Sequence, residues 1–245
     1  VGSTTDRQDS TGSNFDAMPN AFDNDEEVSS PLGLANEFDG TSDYLAIRDL
    51  SYNTQSISAL TACTWFNTGA SGGGYNSNWA FIDFDRSDFF DFYIRPDSGA
   101  LGFSTDAGGI DDFSGTTTGL NDDAWHYGCA VYDGTDKILY VDGVEDNRDI
   151  NSHGGNNLGG TTTRFGFIGD GSEAGTFNAG RNTIYYEGLI DDLTYSSVAR
   201  SGDWINQSYQ FLHLVCKKHI YIGRCKVKNC ILSKYYKLFY NRCNP

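Results

Sequence analysis

The sequence predicts an all-β protein, a two-sheet antiparallel jelly-roll sandwich, and three observations carry that prediction. Of 245 residues, 29 are Gly and only 4 are Pro, while aromatic residues make up 14 %. Gly-rich turns between aromatic and β-branched runs suit antiparallel sheets better than helices. From Leu34 onward, short apolar runs recur and are broken by clusters of Gly, Asn, Asp and Ser, the punctuation of hairpins. Helical periodicity is confined to one short stretch near residue 205. A chain of this length can bury roughly 70 % of its unfolded surface in one sandwich.

Residues 1–33 are polar, rich in Ser, Asn, Asp and Gly, and lack periodicity; they are read as an irregular N-terminal segment. The domain proper is expected over 34–211. Its predicted strands are 34–38, 44–47, 58–67, 79–84, 89–95, 100–104, 125–132, 137–141, 144–148, 164–168 and 185–195. Asp142-Gly143, between Val141 and Val144, is a hairpin signal, since both residues tolerate the positive φ of a primed turn. Asp133-Gly134-Thr135-Asp136 marks a second turn just before it. Near the end, Ser201 can cap a short helix over 202–209, with Asp203 in its first turn and Trp204 expected to plug a sandwich edge.

The tail, 212–245, differs in kind. It holds eight Lys or Arg, no acid, and Cys216, Cys225, Cys230 and Cys243 without a CxxC pair, so zinc-knuckle spacing is missing. It is read as non-native read-through or frame-shifted sequence, with a basic disulfide-stapled appendage as the alternative. Residues 1–211 then hold 33 acids against 9 bases, a net charge of −24. So acidic a body repels nucleic acid and anionic membrane surfaces. No stretch reaches the ~20 apolar residues of a membrane span, so no membrane insertion is expected. The start at Val1 without a leader reads as a mature form or a clipped fragment, secreted or on the cell surface.

Several segments together resemble the laminin-G-like domains of the concanavalin A-like lectin/glucanase superfamily, closest to its bacterial and archaeal extracellular branch. They are the run Glu37-Phe38-Asp39-Gly40-Thr41-Ser42-Asp43-Tyr44-Leu45, then Thr64-Trp65-Phe66 and Asp123-Ala124-Trp125-His126-Tyr127. Tyr132-Asp133-Gly134, Leu139-Tyr140-Val141-Asp142-Gly143, Ile168-Gly169 and Gly188-Leu189-Ile190-Asp191-Asp192-Leu193 complete the set, in order, across roughly residues 30–209. Trp65 and Trp125 lie in alternating strands and are expected to fill the space between two sheets about 10 Å apart. The same segments resemble the pentraxins, and that resemblance implies a Cys63–Cys129 disulfide, with both sulfurs inward. Two buried free thiols are the alternative.

The resemblance also raises calcium, a cation that takes six to eight oxygens. One implied set is Asp39, Asp43 and Asp192. The other, pentraxin-like, is Asp88, Asp170 and Glu173, although Gly171 and Ser172 stand where further ligands are expected. Ordinary turn chemistry explains the same Asp residues without metal. Some relatives are glycosidases, which need two carboxylates astride the scissile bond. The glucanase runs Glu-x-Asp-x-Glu and Glu-x-Asp-x-x-Glu are missing. Asp83, Asp85, Asp88 and Asp91 come near one another without a Glu partner, so an enzyme is not expected. His126 is expected to face outward, and His153 lies in a Gly/Asn loop.

The resulting expectation is a non-catalytic extracellular binding module, part of a larger protein and involved in adhesion, that recognises a glycan or a surface protein. Its candidate contacts are aromatics expected to be exposed: Tyr75, Trp79, Tyr93, Tyr185 and Tyr186. Aromatic faces stack on sugars and anchor protein partners. A purely architectural spacer, or a glycoside hydrolase or polysaccharide lyase using Asp83 and Asp91, are the alternatives.

Overall fold

The computed structural model describes residues 6–11, 13–22, 27–30, 32–71 and 79–218, with side chains described as far as Phe211. In chain order the elements are β1 (Ala17–Asn20), β2 (Glu27–Ser30), β3 (Gly33–Asp39), β4 (Tyr44–Tyr52) and β5 (Leu60–Asn67). Next come β6 (Trp79–Asp83), β7 (Phe90–Ile94), β8 (Leu101–Asp106), β9 (Ile110–Ser114) and β10 (His126–Tyr132). The chain continues through β11 (Lys137–Val141), β12 (Val144–Asp149), β13 (Arg164–Ile168), β14 (Glu187–Ser196) and α1 (Gly202–Lys218). Two seven-stranded sheets result: a front sheet, β1-β4-β13-β6-β7-β8-β9, and a back sheet, β12-β11-β10-β5-β14-β3-β2. This is the jelly-roll sandwich read from the sequence.

Side-chain alternation builds the layer between the sheets. In β7, Phe90, Phe92 and Ile94 join the main core while Asp91 and Tyr93 point away from it, as the two-residue period of a strand requires. Phe38, Phe66 and Leu139 answer from the back sheet, and Phe81, Leu101 and Phe103 from the front. Each fully buried Phe contributes about 2–3 kcal/mol. The hairpin between β11 and β12 turns at Asp142 and Gly143, with φ of 50° and 81°, and Val141 pairs with Val144. At the far edge, buried Lys137 of β11 reaches across to β9. Its Nζ donates to the Asp111 backbone carbonyl at 2.8 Å and pairs with Asp111 Oδ2 at 3.0 Å.

Four expectations need correction. The segment 1–33 is not irregular throughout. β1 pairs with β4 and β2 with β3, and Ala17 and Phe22 are buried in the main core. Four-residue strands at sheet edges carry too little alternation to be read from sequence. β9 was also unforeseen, because its Asp-Asp pair looks like loop. In the sheet, Asp111 meets Lys137 and Asp112 meets Arg86 on opposite faces.

The third correction concerns Trp65. It is buried, but on the outer side of the back sheet. There Cys63, Trp65, Tyr127, Cys129, Val131, Ile138 and Tyr140 form a second core roofed by Ile205 and Tyr209 of α1. The Trp65 indole and the Tyr209 phenol ring stack with centroids 5.7 Å apart, and Trp125, just before β10, packs on the same cluster. Cys63 and Cys129 sit directly opposite in the β5–β10 ladder and are bridged. The disulfide therefore lies beneath the helix and not between the sheets. His126 has the opposite parity and sits ring-to-ring with Phe66 on the inner side. It is mostly covered, clamped between Asp142 and Asp122, 3.2 Å from each.

The fourth concerns α1. Ser201 Oγ accepts the Trp204 N–H at 3.2 Å, the expected cap, but Trp204 stays 37 % exposed and Ile205 is the buried plug. One residue corresponds to about 100° of helix rotation, which turns Trp204 toward Arg200, 4.9 Å from its ring. The helix also runs to Lys218, past the expected domain boundary at 211. Cys225, Cys230 and Cys243 lie outside the described residues.

Candidate functional site

The outer face of the front sheet concentrates the chemistry. Asp83 of β6 pairs in register with Asp91 of β7, and Asp91 with Ser104 of β8. Ser104 in turn pairs with Asp112 of β9. Asp83, Asp91, Ser104 and Asp112 thus form one row across four strands. Arg86, from the β6–β7 turn, donates from Nη1 to both Asp112 oxygens at 2.9 and 2.8 Å. Beside the row, the Tyr93 ring lies across Gly102, where an added Cβ would come within 2.2 Å of it. Its hydroxyl meets Ser104 Oγ at 3.1 Å.

Asp83 and Asp91 are sealed, at 3 % and 4 % exposure. Burial pushes both carboxyls well above the usual range, helped at Asp83 by the charges of Asp85 and Asp170 and at Asp91 by the charge of Asp83. Their surroundings differ. Asp83 accepts backbone N–H groups from Asp85 and Ser172, a setting for a carboxylate. Asp91 Oδ1 is buried without a hydrogen-bond partner. Two buried carboxyls side by side do not both ionise, and the unsolvated one, Asp91, keeps the proton.

Two arginines organise the loops beside this row. Arg164, in β13, places Nε 2.7 Å from Asp85 Oδ2 and Nη2 2.8 Å from Asp88 Oδ2 and 3.7 Å from Glu173 Oε2. Arg181 Nη1 lies 2.8 Å from Asp170 Oδ2 and 2.9 Å from the Tyr185 hydroxyl. Its guanidinium carbon stands 3.9 Å over the Tyr44 ring. Asp170 is fully buried, and its other oxygen accepts N–H groups from Gly171 and Ile184 at 2.8 Å each. Burial still leaves its pKa raised, against the pull of those bonds.

The two acid sets expected to hold calcium come apart. Asp39 is opposite Glu187 in the β3–β14 ladder, and Asp192 lies five residues further along β14, roughly 16 Å away at strand rise. Asp39 spends its carboxylate on Thr41 and Ser42. Burial raises its pKa, but these bonds outweigh it and the net shift is downward. Asp43 accepts the Asp39 N–H at 2.9 Å, which is turn chemistry. Asp192 is pushed up to about 6 by burial and by Asp191, and borders a cleft of about 910 Å³ between the sheets. Asp88 and Glu173 both face Arg164, while Asp170 faces Arg181. Among the described residues, no three acidic, His or Cys side chains are grouped to hold a metal. The residues present do not fit calcium at either expected place.

The aromatic set also needs correction. Tyr186 is completely buried, with its ring edge-on to Phe38, and Tyr93 is 3 % exposed, so neither offers a face to a ligand. Gly/Asn-rich flanks resemble loop in sequence, but the Tyr186 ring fills the core between the sheets and the Tyr93 ring is covered on the outer face of the front sheet across Gly102. Trp79 is half-buried against Tyr186, and Tyr185 is half-buried against Arg181. Tyr75 lies outside the described residues. An open polar cleft of about 540 Å³ was missed. It sits at the end of the sandwich where β3, β5 and β14 meet their loops, and Glu37, Asp39, Asn67, Thr68, Asp123 and Glu187 line it. These residues are scattered over 150 positions of sequence and share no motif.

No curated protein sequence matches the chain. Among solved structures it is similar to the binding domain of Paraclostridial Mosquitocidal Protein 1, at 11 % identity and a TM-score of 0.60. That match covers 82 % of this chain and 48 % of the other, so the chain spans about half the length of that binding domain. It is similar to domain 4 of AbnA, an extracellular arabinanase from Geobacillus stearothermophilus solved in complex with arabinotriose. Identity there is 18 % and the TM-score 0.55, over 82 % of this chain and 92 % of that one. The binding domain of botulinum neurotoxin serotype D/C follows, with 12 % identity, a TM-score of 0.53 and coverages of 85 % and 52 %. Identities this low establish the shared fold alone. The family model for laminin-G-type domains of the concanavalin A-like lectin/glucanase superfamily matches residues 39–206, and the chain belongs to that family.

Proposed function

We propose that this domain is a non-catalytic binding module of an extracellular or cell-surface protein. In this reading it takes an oligosaccharide in the open end cleft. The carrying observation is the cleft itself, about 540 Å³ with exposed Glu37, Asp123 and Glu187 and the amide of Asn67 on its walls. Carboxylates and amides accept and donate to sugar hydroxyls, and the volume falls within the range of small-ligand sites. Arabinotriose bound to a domain of the same fold makes arabinose-type and related neutral oligosaccharides the first to try. Trp79 is half-buried against Tyr186, whose hydroxyl donates to the carbonyl of Asn67 on the cleft wall.

Catalysis is disfavoured by the burial of Asp83 and Asp91. A glycosidase needs both carboxyls open to the scissile bond, and here both are sealed. Glycan-array binding by the wild-type chain, weakened at least about tenfold by Glu187→Ala or Asp123→Ala, is the expected result; tenfold is 1.4 kcal/mol. Binding that survives both changes would remove the cleft from the reading. A second reading, an architectural spacer, draws on the burial of Tyr93 and Tyr186 and predicts silence on every glycan tested. Turnover of polysaccharide that disappears in Asp83→Asn or Asp91→Asn would overturn both.

A further inference from the structure

We propose that Arg164 and Arg181 are built-in counter-ions for the loops 85–88 and 170–173, supplying with guanidinium hydrogen bonds the cross-linking that a calcium ion would otherwise give. The pentraxin resemblance implies calcium at these loops, through Asp88, Asp170 and Glu173. The geometry assigns those carboxylates to cations the chain already carries.

Arg164 is anchored in β13 and touches three carboxylates on two separate stretches of chain. It reaches Asp85 and Asp88 in the β6–β7 turn and Glu173 in the loop after β13. Its side chain is 15 % exposed, so the pairing is largely shielded from water and salt. Asp85 is itself buried, and its second oxygen accepts from Ser87 N and Oγ at 2.9 and 2.6 Å. Asp170 has no oxygen to spare, since Gly171, Ile184 and Arg181 take both. Arg181 is held in turn by the Tyr44 ring and the Tyr185 hydroxyl.

A divalent ion entering here would meet a guanidinium already inside the carboxylate group. It would also need six to eight oxygens at 2.3–2.6 Å. The fork geometry of Arg suits the arrangement, because one planar head with five N–H donors can serve carboxylates that point at it from different sides. The loops are thereby fixed at any calcium concentration.

The test uses thermal melts of the full chain, wild type and Arg164→Ser, in EDTA and in 10 mM calcium chloride. A calcium site with a Kd of about 1 mM would shift the folding equilibrium about 11-fold at that concentration. For a chain of this size that reads as roughly 3–6 °C in Tm. The expected result is a wild-type midpoint that moves by less than about 1 °C between the two buffers. Arg164→Ser should melt several degrees lower in EDTA. A wild-type gain of about 3 °C or more in calcium, or an Arg164→Ser variant that melts with the wild type in EDTA, overturns the assignment. If that variant does not fold, titration calorimetry of calcium into the wild type decides: saturable heat refutes it and a flat titration upholds it.

Discussion

At the scale of single residues, the sharpest consequence concerns the Asp83–Asp91 pair. Burial raises both carboxyls above their unfolded value, so the folded state binds protons more tightly than the unfolded chain. The pair's favourable contribution is complete below the unfolded carboxylate pKa, near 3.8. It is lost as pH rises through the folded values. At neutral pH, holding a proton on Asp91 therefore costs stability. Asp91→Asn removes that cost: an amide needs no proton, and its N–H can donate toward Asp83. The variant should be more stable than wild type by about 1–3 kcal/mol at pH 8, and the gain should shrink toward zero near pH 4. Urea unfolding at both pH values checks this. A gain that does not depend on pH would mean the effect is packing and not proton binding. Asp83, which accepts two backbone N–H groups, is the poorer place for the same change.

At the scale of elements, α1 and the disulfide act on one cluster. The bridge joins strand centres 66 residues apart, and closing a loop of that length removes about 4 kcal/mol of unfolded-state entropy in the chain model. Ile205 and Tyr209 then cover the bridge and Trp65. Replacing both cysteines with Ala should cost about 3–4 kcal/mol, and Ile205→Ala about 2–4 kcal/mol through the cavity it leaves. Because the two changes meet in the same cluster, they should couple in a double-mutant cycle. Strict additivity within about 0.5 kcal/mol would mean the helix does not bear on the bridge. These elements were partly legible in sequence. The cap at Ser201 and the hairpin at Asp142-Gly143 were read correctly, because local cap and turn chemistry fixes them; the Cys63–Cys129 bridge was implied by the pentraxin resemblance, and only the side it faces differs. Parity grouped Cys63 with Trp65, but it could not tell which side of the sheet that group faces. That choice depends on a helix 140 residues away in sequence.

At the scale of the molecule, the two-sheet architecture was readable because period-two alternation recurs along most of the chain. The end cleft was not, because its walls come from loops far apart in sequence. The contact between the two sheets at their β9–β11 edge was not either, and it carries a test of what holds the sandwich together. Lys137 is completely buried, and burial drags its ammonium pKa down even with Asp111 beside it. Its stem fills space next to Phe113, whose ring lies 5.4 Å from Nζ, while Asp111 is about one-third exposed and can rehydrate. Desolvating the charge offsets most of the ion pair's attraction, so the stem and not the charge should hold the edge. Lys137→Met keeps the stem and should stay within about 1 kcal/mol of wild type. Lys137→Ala loses both and should cost about 3 kcal/mol. If the Met variant falls as far as the Ala variant in chemical denaturation, the cross-sheet ion pair itself is what fastens that edge.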